Sequence, residues 1–140
     1  MGTDRMSENR SKLHRLERLM KVQGQKRLLE EWRLGHLRKE CGEIDRSDSE
    51  LLGSLGTTSQ LHGLFIEAKV RNLRRNEAAR RVNLERQTET EKKIQSTRRS
   101  EKGVEKLRDE TRRSTVVEDE AKELEVGIDG FLARKRTSFE

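Results

Sequence analysis

Ser47-Asp48-Ser49-Glu50-Leu51-Leu52-Gly53-Ser54-Leu55-Gly56-Thr57-Thr58-Ser59-Gln60 is the stretch that decides the fold. Two glycines among small hydroxyl residues mark a turn. Thr57, followed three residues later by Gln60 and then by Leu61, fits a capping box, in which each side chain bonds the other residue's backbone N–H. A turn over 47–60 is therefore expected, with a helix opening at about 61. On either side nothing else in the chain punctuates so strongly, because there is no Pro among the 140 residues.

Working back from the turn, the pattern predicts a helix over about 5–46. Leu13, Leu16, Met20, Leu34, Leu37, Cys41 and Ile44 recur at spacings of three, four or seven, which is a thin apolar seam,. The same register meets Gln23, Arg27 and Glu30, while Leu28, Leu29 and Trp32 sit to one side, so the stripe is expected to shift partway along. Gly24, Gly35 and Gly42 each cost about 1 kcal/mol relative to Ala, which makes this helix dependent on a partner.

Working forward, a second helix is expected over about 61–134, with Gly103 a candidate kink. Its opening, Leu61, Leu64, Phe65, Ile66, Ala68, Val70 and Leu73, is its most apolar part. Residues 74–103 are nearly bare of large apolar groups. Then Leu107, Val117, Ala121, Leu124, Ile128 and Phe131 fit one heptad register, with Ser114 in the remaining slot,. The two helices together predict an all-α fold, a two-helix antiparallel coiled-coil hairpin with arms of unequal length, as one elongated unit over 1–140. Folding about Gly53 sets Leu13 beside Ile94 and Trp32 beside 72–76, and uses up the first arm near Gly103. The 104–131 seam is then uncovered, a sign of a partner or of self-association.

Composition supports the same reading. Charged residues make up 41% of the chain and hydrophobic ones 29%, with three Phe, one Trp and no Tyr. That is too little apolar material for a globular core, yet the absence of Pro argues for long helices rather than disorder. Residues 51–100 carry 11 basic and 5 acidic side chains, whereas residues 101–140 carry 9 and 11, so the positive excess lies in the middle. The single cysteine, Cys41, forbids an intrachain disulfide and suits a reducing compartment,. With no signal-peptide pattern and no apolar span, a soluble, cytoplasmic protein is expected.

Chemistry has no visible seat. His14, His36 and His62 are scattered, so neither a metal site nor a cofactor is expected, and Cys41 reads as an inert seam residue,. Gly53-Ser54-Leu55-Gly56 lacks the Gly-Lys-Ser/Thr of a phosphate loop,. Carboxylates on exposed helical faces lack the burial that tunes a general acid, and no catalytic residue is assigned. The basic run Lys69, Arg71, Arg74, Arg75, Arg80, Arg81 has two readings: contacts to nucleic-acid phosphates through Arg71, Arg74, Arg75 and Arg81, or a solvated face pairing with Glu30, Glu31 and Glu40 across the hairpin,. No aromatics interleave it to stack on bases. Trp32 is either a seam filler or an interface anchor. Leu61, Phe65 and Ala68, with Asn72 one turn on, form a short stripe that serves either closure packing beside the turn or docking of a partner.

The N-terminal run Arg10-Ser-Lys-Leu13-His-Arg-Leu16-Glu-Arg-Leu19, a turn, and Leu61-His-Gly-Leu64-Phe65 opening a longer charged helix resemble the FliJ/YscO group of type III export proteins, the flagellar branch most closely. The resemblance implies a cytoplasmic stalk, similar to the central stalk of rotary ATP synthases, that couples an export ATPase ring to an export gate at the inner face of the membrane. It implies gate docking by Leu61, Phe65 and Ala68, with Asn72 departing from the expected type at the next turn. It also implies an ATPase-facing open end at Arg5, Arg10, Lys12, Arg134, Lys135 and Arg136, and export substrates or chaperones as further partners. A self-assembling coiled coil is the remaining alternative.

Overall fold

The structure, a computed structural model, describes residues 2–56 and 62–138. It consists of two helices, α1 (Gly2–Leu55) and α2 (His62–Ser138), of unequal length and packed against each other. The fold is the all-α antiparallel hairpin that the composition and spacing predict. By packing, the chain divides into two compact units, residues 25–98 and residues 1–24 with 99–140. The capping box at Thr57 and Gln60 lies outside the described residues.

Both helices are longer than the turn signals suggest. α1 runs through Ser47–Glu50 and Gly53 and stops only at Leu55, where Gly56 N–H donates to the Gly53 carbonyl at 3.4 Å. Small polar residues fail to break it because α2 uses them. Asn76 Nδ2 donates to Ser47 Oγ at 3.1 Å and to Asp48 Oδ1 at 2.9 Å, and the Arg80 guanidinium bonds Asp48. The Ser54 hydroxyl donates to the Leu51 carbonyl. α2 is likewise helical through Gly103.

In the unit formed by 25–98, Thr97 Oγ1 donates to Glu30 Oε2 at 3.2 Å, Arg98 reaches Glu31 at 3.1 Å, and Arg38 reaches Glu91 at 3.5 Å. Contacts through long side chains join residues whose numbers add to 127–129, because both chains lean toward their own N-termini,, whereas the shorter contacts of Asn76 with Ser47 and Asp48 and of Arg80 with Asp45 add to 123–125 and set the backbone register near 124. This overturns the register expected from a fold about Gly53: Trp32 lies opposite about residue 92, and the end of α1 falls opposite Lys69, which reaches the Ser54 carbonyl. The first turns of α2, 62–68, run past the end of α1. Seam residues follow a strict alternation of three and four: Glu30, Leu34, Leu37, Cys41, Ile44 on α1 and Asn83, Gln87, Thr90, Ile94, Thr97 on α2, all buried or half-buried. Leu34 and Ile94 are the buried apolar pair of this seam.

The stripe does not shift sideways as expected. Arg27 and Glu30 stay in the seam, whereas Leu28, Leu29 and Trp32 are exposed. Trp32 is 65% exposed and stacks flat on His36 at 5.4 Å, so it fills no seam. A polar seam holds because its groups find partners. Buried Asn83 donates to the Leu37 carbonyl across the pair at 2.9 Å while its Oδ1 accepts from Gln87. Such a buried amide fixes which layer faces which, at some cost in stability.

The second unit pairs by the same rule. Asn9 Nδ2 donates to Glu118 Oε1 at 2.8 Å, Arg10 reaches Asp119 at 3.1 Å, and Arg112 reaches Glu17 at 3.2 Å. Leu13 therefore faces the neighbourhood of Thr111 rather than Ile94, and the α2 side of the seam is Val104, Arg108, Thr111, Thr115 and Glu118. The Thr111 and Thr115 hydroxyls bond back to the carbonyls four residues earlier, which lets them sit in the seam without orphan donors,. The first arm thus reaches well past Gly103, correcting the expected end of its cover.

Candidate functional site

Two surfaces collect the residues that the sequence singles out. At the start of α2, Phe65 and Ala68 are exposed, three residues apart on one face, and Asn72 is exposed one turn on. Phe65 is 54% exposed. Leu61, the first member of this stripe, lies outside the described residues. Beside it, Ile66, Glu67, Val70, Arg71 and Arg74 line a shallow open groove. Lys69 reaches back to the Ser54 carbonyl at 3.4 Å, tying this end of α2 to the last turn of α1. Closure packing needs apolar groups turned inward. Among the described apolar residues of this opening, Leu73 turns toward the seam, and Phe65 is exposed.

The basic run forms a solvated face, without the expected pairing across the hairpin. Arg71, Arg74 and Arg75 are exposed and have no ion pair among the described residues, and Arg81 reaches only Glu77 on its own helix at 3.8 Å. None of them meets Glu30, Glu31 or Glu40, which are engaged by Thr97, by Arg98 and Arg27, and by His36. The shifted register explains the correction, since those carboxylates face residues some 20 positions further along α2. Arg80 crosses the pair to Asp45 at 2.8 Å and to Asp48, as Lys69 does to the Ser54 carbonyl.

That Arg80 cluster is a feature the sequence reading missed. Its signal was Asp45 and Asp48, three apart, facing Asn76 and Arg80, four apart, and both sets look like ordinary surface polarity until the register is known. The Arg80 guanidinium, then the Asn76 amide, hold the Asp48 carboxyl below the usual carboxylate range, and Asp48, then Asp45, raise Arg80. A carboxylate with a depressed folded pKa contributes stability that is complete above its unfolded value, near pH 4 or about that, and is lost as pH falls through the folded value. Asp48→Asn is therefore expected to flatten the acid limb of a plot of thermal midpoint against pH. Asp45→Asn, at a position 62% exposed, is expected to leave that limb nearly as steep.

At the other surface, Arg5, Arg10 and Lys12 are exposed on α1, and Arg134, Lys135 and Arg136 are exposed in the last turns of α2. Arg10 is held by Asp119. The seam register sets Arg5 opposite about residue 119, so Arg134 lies about 15 residues further on, roughly 22 Å along the helix. The two basic groups are thus not brought together as one cluster. Lys135 Nζ lies 5.9 Å from the Phe131 ring centroid, and the cations of this last turn complement the helix dipole,.

The described residues hold no group of three or more His, Cys, Asp or Glu side chains placed to share a metal ion. Among them, no helix is long and apolar enough to cross a membrane. Cys41 is half-buried in the seam. No protein-family model, curated protein or solved structure matches this chain.

Proposed function

We propose that this chain is a non-catalytic interaction protein of a type III export apparatus, similar in role to the FliJ/YscO group: a cytoplasmic, membrane-peripheral stalk or chaperone-like factor coupling an export ATPase to an export gate. The observation that carries this reading is the start of α2, which runs beyond the end of α1 with Phe65 in solvent and Ala68 on the same face. A solvent-facing aromatic beside small and basic groups suits reversible docking, where a few anchors carry most of the energy within a polar rim. The exposed cations on the first turns of α1 and the last turns of α2 suit a partner with acidic faces, the role this reading gives to an ATPase ring. Mixing with the cognate export ATPase is expected to raise its turnover, and Leu61→Ala with Phe65→Ala is expected to abolish gate binding while the far-UV circular dichroism stays unchanged. Absence of both complex formation and rate change sinks the assignment.

A second reading rests on the exposure of Arg71, Arg74 and Arg75, which leaves them free to meet phosphates. It requires RNA or DNA affinity that falls steeply with salt, with a slope that shrinks when Arg74 and Arg81 are neutralised. No retention on nucleic acid at low salt dismisses it.

A further inference from the structure

In the unit formed by 25–98, the side of α1 turned away from α2 carries an apolar patch. Leu28, Leu29 and Trp32 are 60%, 48% and 65% exposed. By helix periodicity they fall within an arc of about 100° opposite the seam of Glu30, Leu34 and Leu37. The patch does not extend as a three-four alternation, because Gln25, Gly35 and Lys39 take the next positions on the same face. A partner helix therefore finds no seam to follow.

Cations frame the patch, and the acids beside it are engaged. Between residues 25 and 40, Glu30 is buried against Thr97, Glu31 holds Arg98 and Arg27, and Glu40 lies 3.3 Å from His36. Lys26, Arg33 and Lys39 are exposed and have no ion pair among the described residues. Lys26 and Arg33 stand on one flank of Trp32, and Lys39 lies on its line two turns on. Trp32 is itself held in place: its ring stacks on His36 at 5.4 Å and within 5° of parallel, and His36 is tied in turn to Glu40. An aromatic fixed in advance loses little freedom on binding.

We propose that this face of α1 seats on an anionic lipid surface. Leu28, Leu29 and Trp32 enter the boundary between headgroups and acyl chains, while Lys26, Arg33 and Lys39 meet the lipid phosphates. Trp and Leu on one side of a helix with Lys and Arg beside them is the composition of a helix lying in the plane of a membrane interface. Each cation near an anionic leaflet adds to the attraction. The long Lys and Arg stems let the charged ends stay among headgroups as the ring sinks. A fluid boundary takes up a convex ridge, whereas a folded protein must offer a pocket shaped to its anchors. The contact needs no export partner.

Trp32 is the chain's one tryptophan, so its emission reads this face directly. The test mixes the full chain with vesicles of phosphatidylcholine containing phosphatidylglycerol, with vesicles of phosphatidylcholine alone, and with an acidic amphipathic peptide of Glu and Leu. Anionic vesicles are expected to shift the emission to the blue, and bromine on the upper acyl carbons to quench it, both less so in added salt. Neutral vesicles and the peptide are expected to leave it unchanged. Leu28→Gln with Leu29→Gln is expected to remove the quenching at unchanged helicity, since neither residue faces α2. Lys26→Gln with Arg33→Gln is expected to weaken partition by roughly tenfold or more. Vesicles that bind the chain while Trp32 emission stays at its free position are held by other cations of the chain, and that result overturns the proposal. A blue shift with the acidic peptide alone gives the face to a protein and overturns it too, as does no binding to anionic vesicles at low salt.

Discussion

Replacing Gly24, Gly35, Gly42 and Gly103 together by Ala is expected to raise the free energy of unfolding by about 2–4 kcal/mol, at roughly 0.5–1 kcal/mol each. All four lie inside helices, none has a positive φ, and a Cβ built at any of them meets nothing within 4 Å. The gain comes mainly from the unfolded chain, which loses freedom that the helix does not need. The sites are at least seven residues apart, so their effects should add. For a fold whose seam is as polar as this one, such a gain is a large share of the total. Urea denaturation reads it as a higher midpoint at an unchanged slope. A loss of stability would mean that the helices need room or bending at those glycines.

How much of this was legible follows from which residues speak for themselves. Two helices, their antiparallel order and the start of α2 near residue 62 come through because the chain has no Pro and one run rich in Gly, Ser and Thr. The register does not come through. On α1 the alternation continues unbroken through Gln23, Arg27 and Glu30, but a search for apolar stripes stops there and drifts to Leu28, Leu29 and Trp32, which stand in water. On α2 the seam is Asn76, Arg80, Asn83, Gln87, Thr90, with Ile94 the first large apolar group after Leu73. Such a seam is silent to hydropathy, and it becomes readable only when each polar residue is paired with the one that satisfies it, as Thr97 is with Glu30.

The same silence displaced the candidate sites. With the turn centred on Gly53, the basic run 69–81 sat opposite Glu30, Glu31 and Glu40. With α1 carried to Leu55 and the pairing set by Asn76 and Arg80, that run faces the end of α1, where Arg80 meets Asp45 and Asp48. The apolar series 107–131 was visible as a heptad. That it occupies a face beside the α1 seam, rather than the seam itself, required the partners of Glu118 and Arg112.

The register is the claim on which the docking end, the Arg80 cluster and the free outer stripe all depend, and the chain's one cysteine tests it. Cys41 is half-buried and Asn83 buried in the seam. Asn83 donates to the Leu37 carbonyl, which lies at the level of Cys41 one turn on, and the layer of Asn76 with Ser47 and Asp48 keeps the same register, so Cys41 and Asn83 stand opposite each other. Asn83→Cys is expected to close an intramolecular disulfide with Cys41 on mild oxidation. Closing a loop of about 42 residues should stabilise the fold by about 4 kcal/mol in the chain-entropy model, less any strain. A fold about Gly53 instead puts Cys41 opposite residue 65. Efficient closure in Asn83→Cys, with a raised unfolding midpoint of the oxidised over the reduced form and none in Phe65→Cys, is the predicted result; closure in Phe65→Cys, or only interchain bonds in both variants, would contradict it.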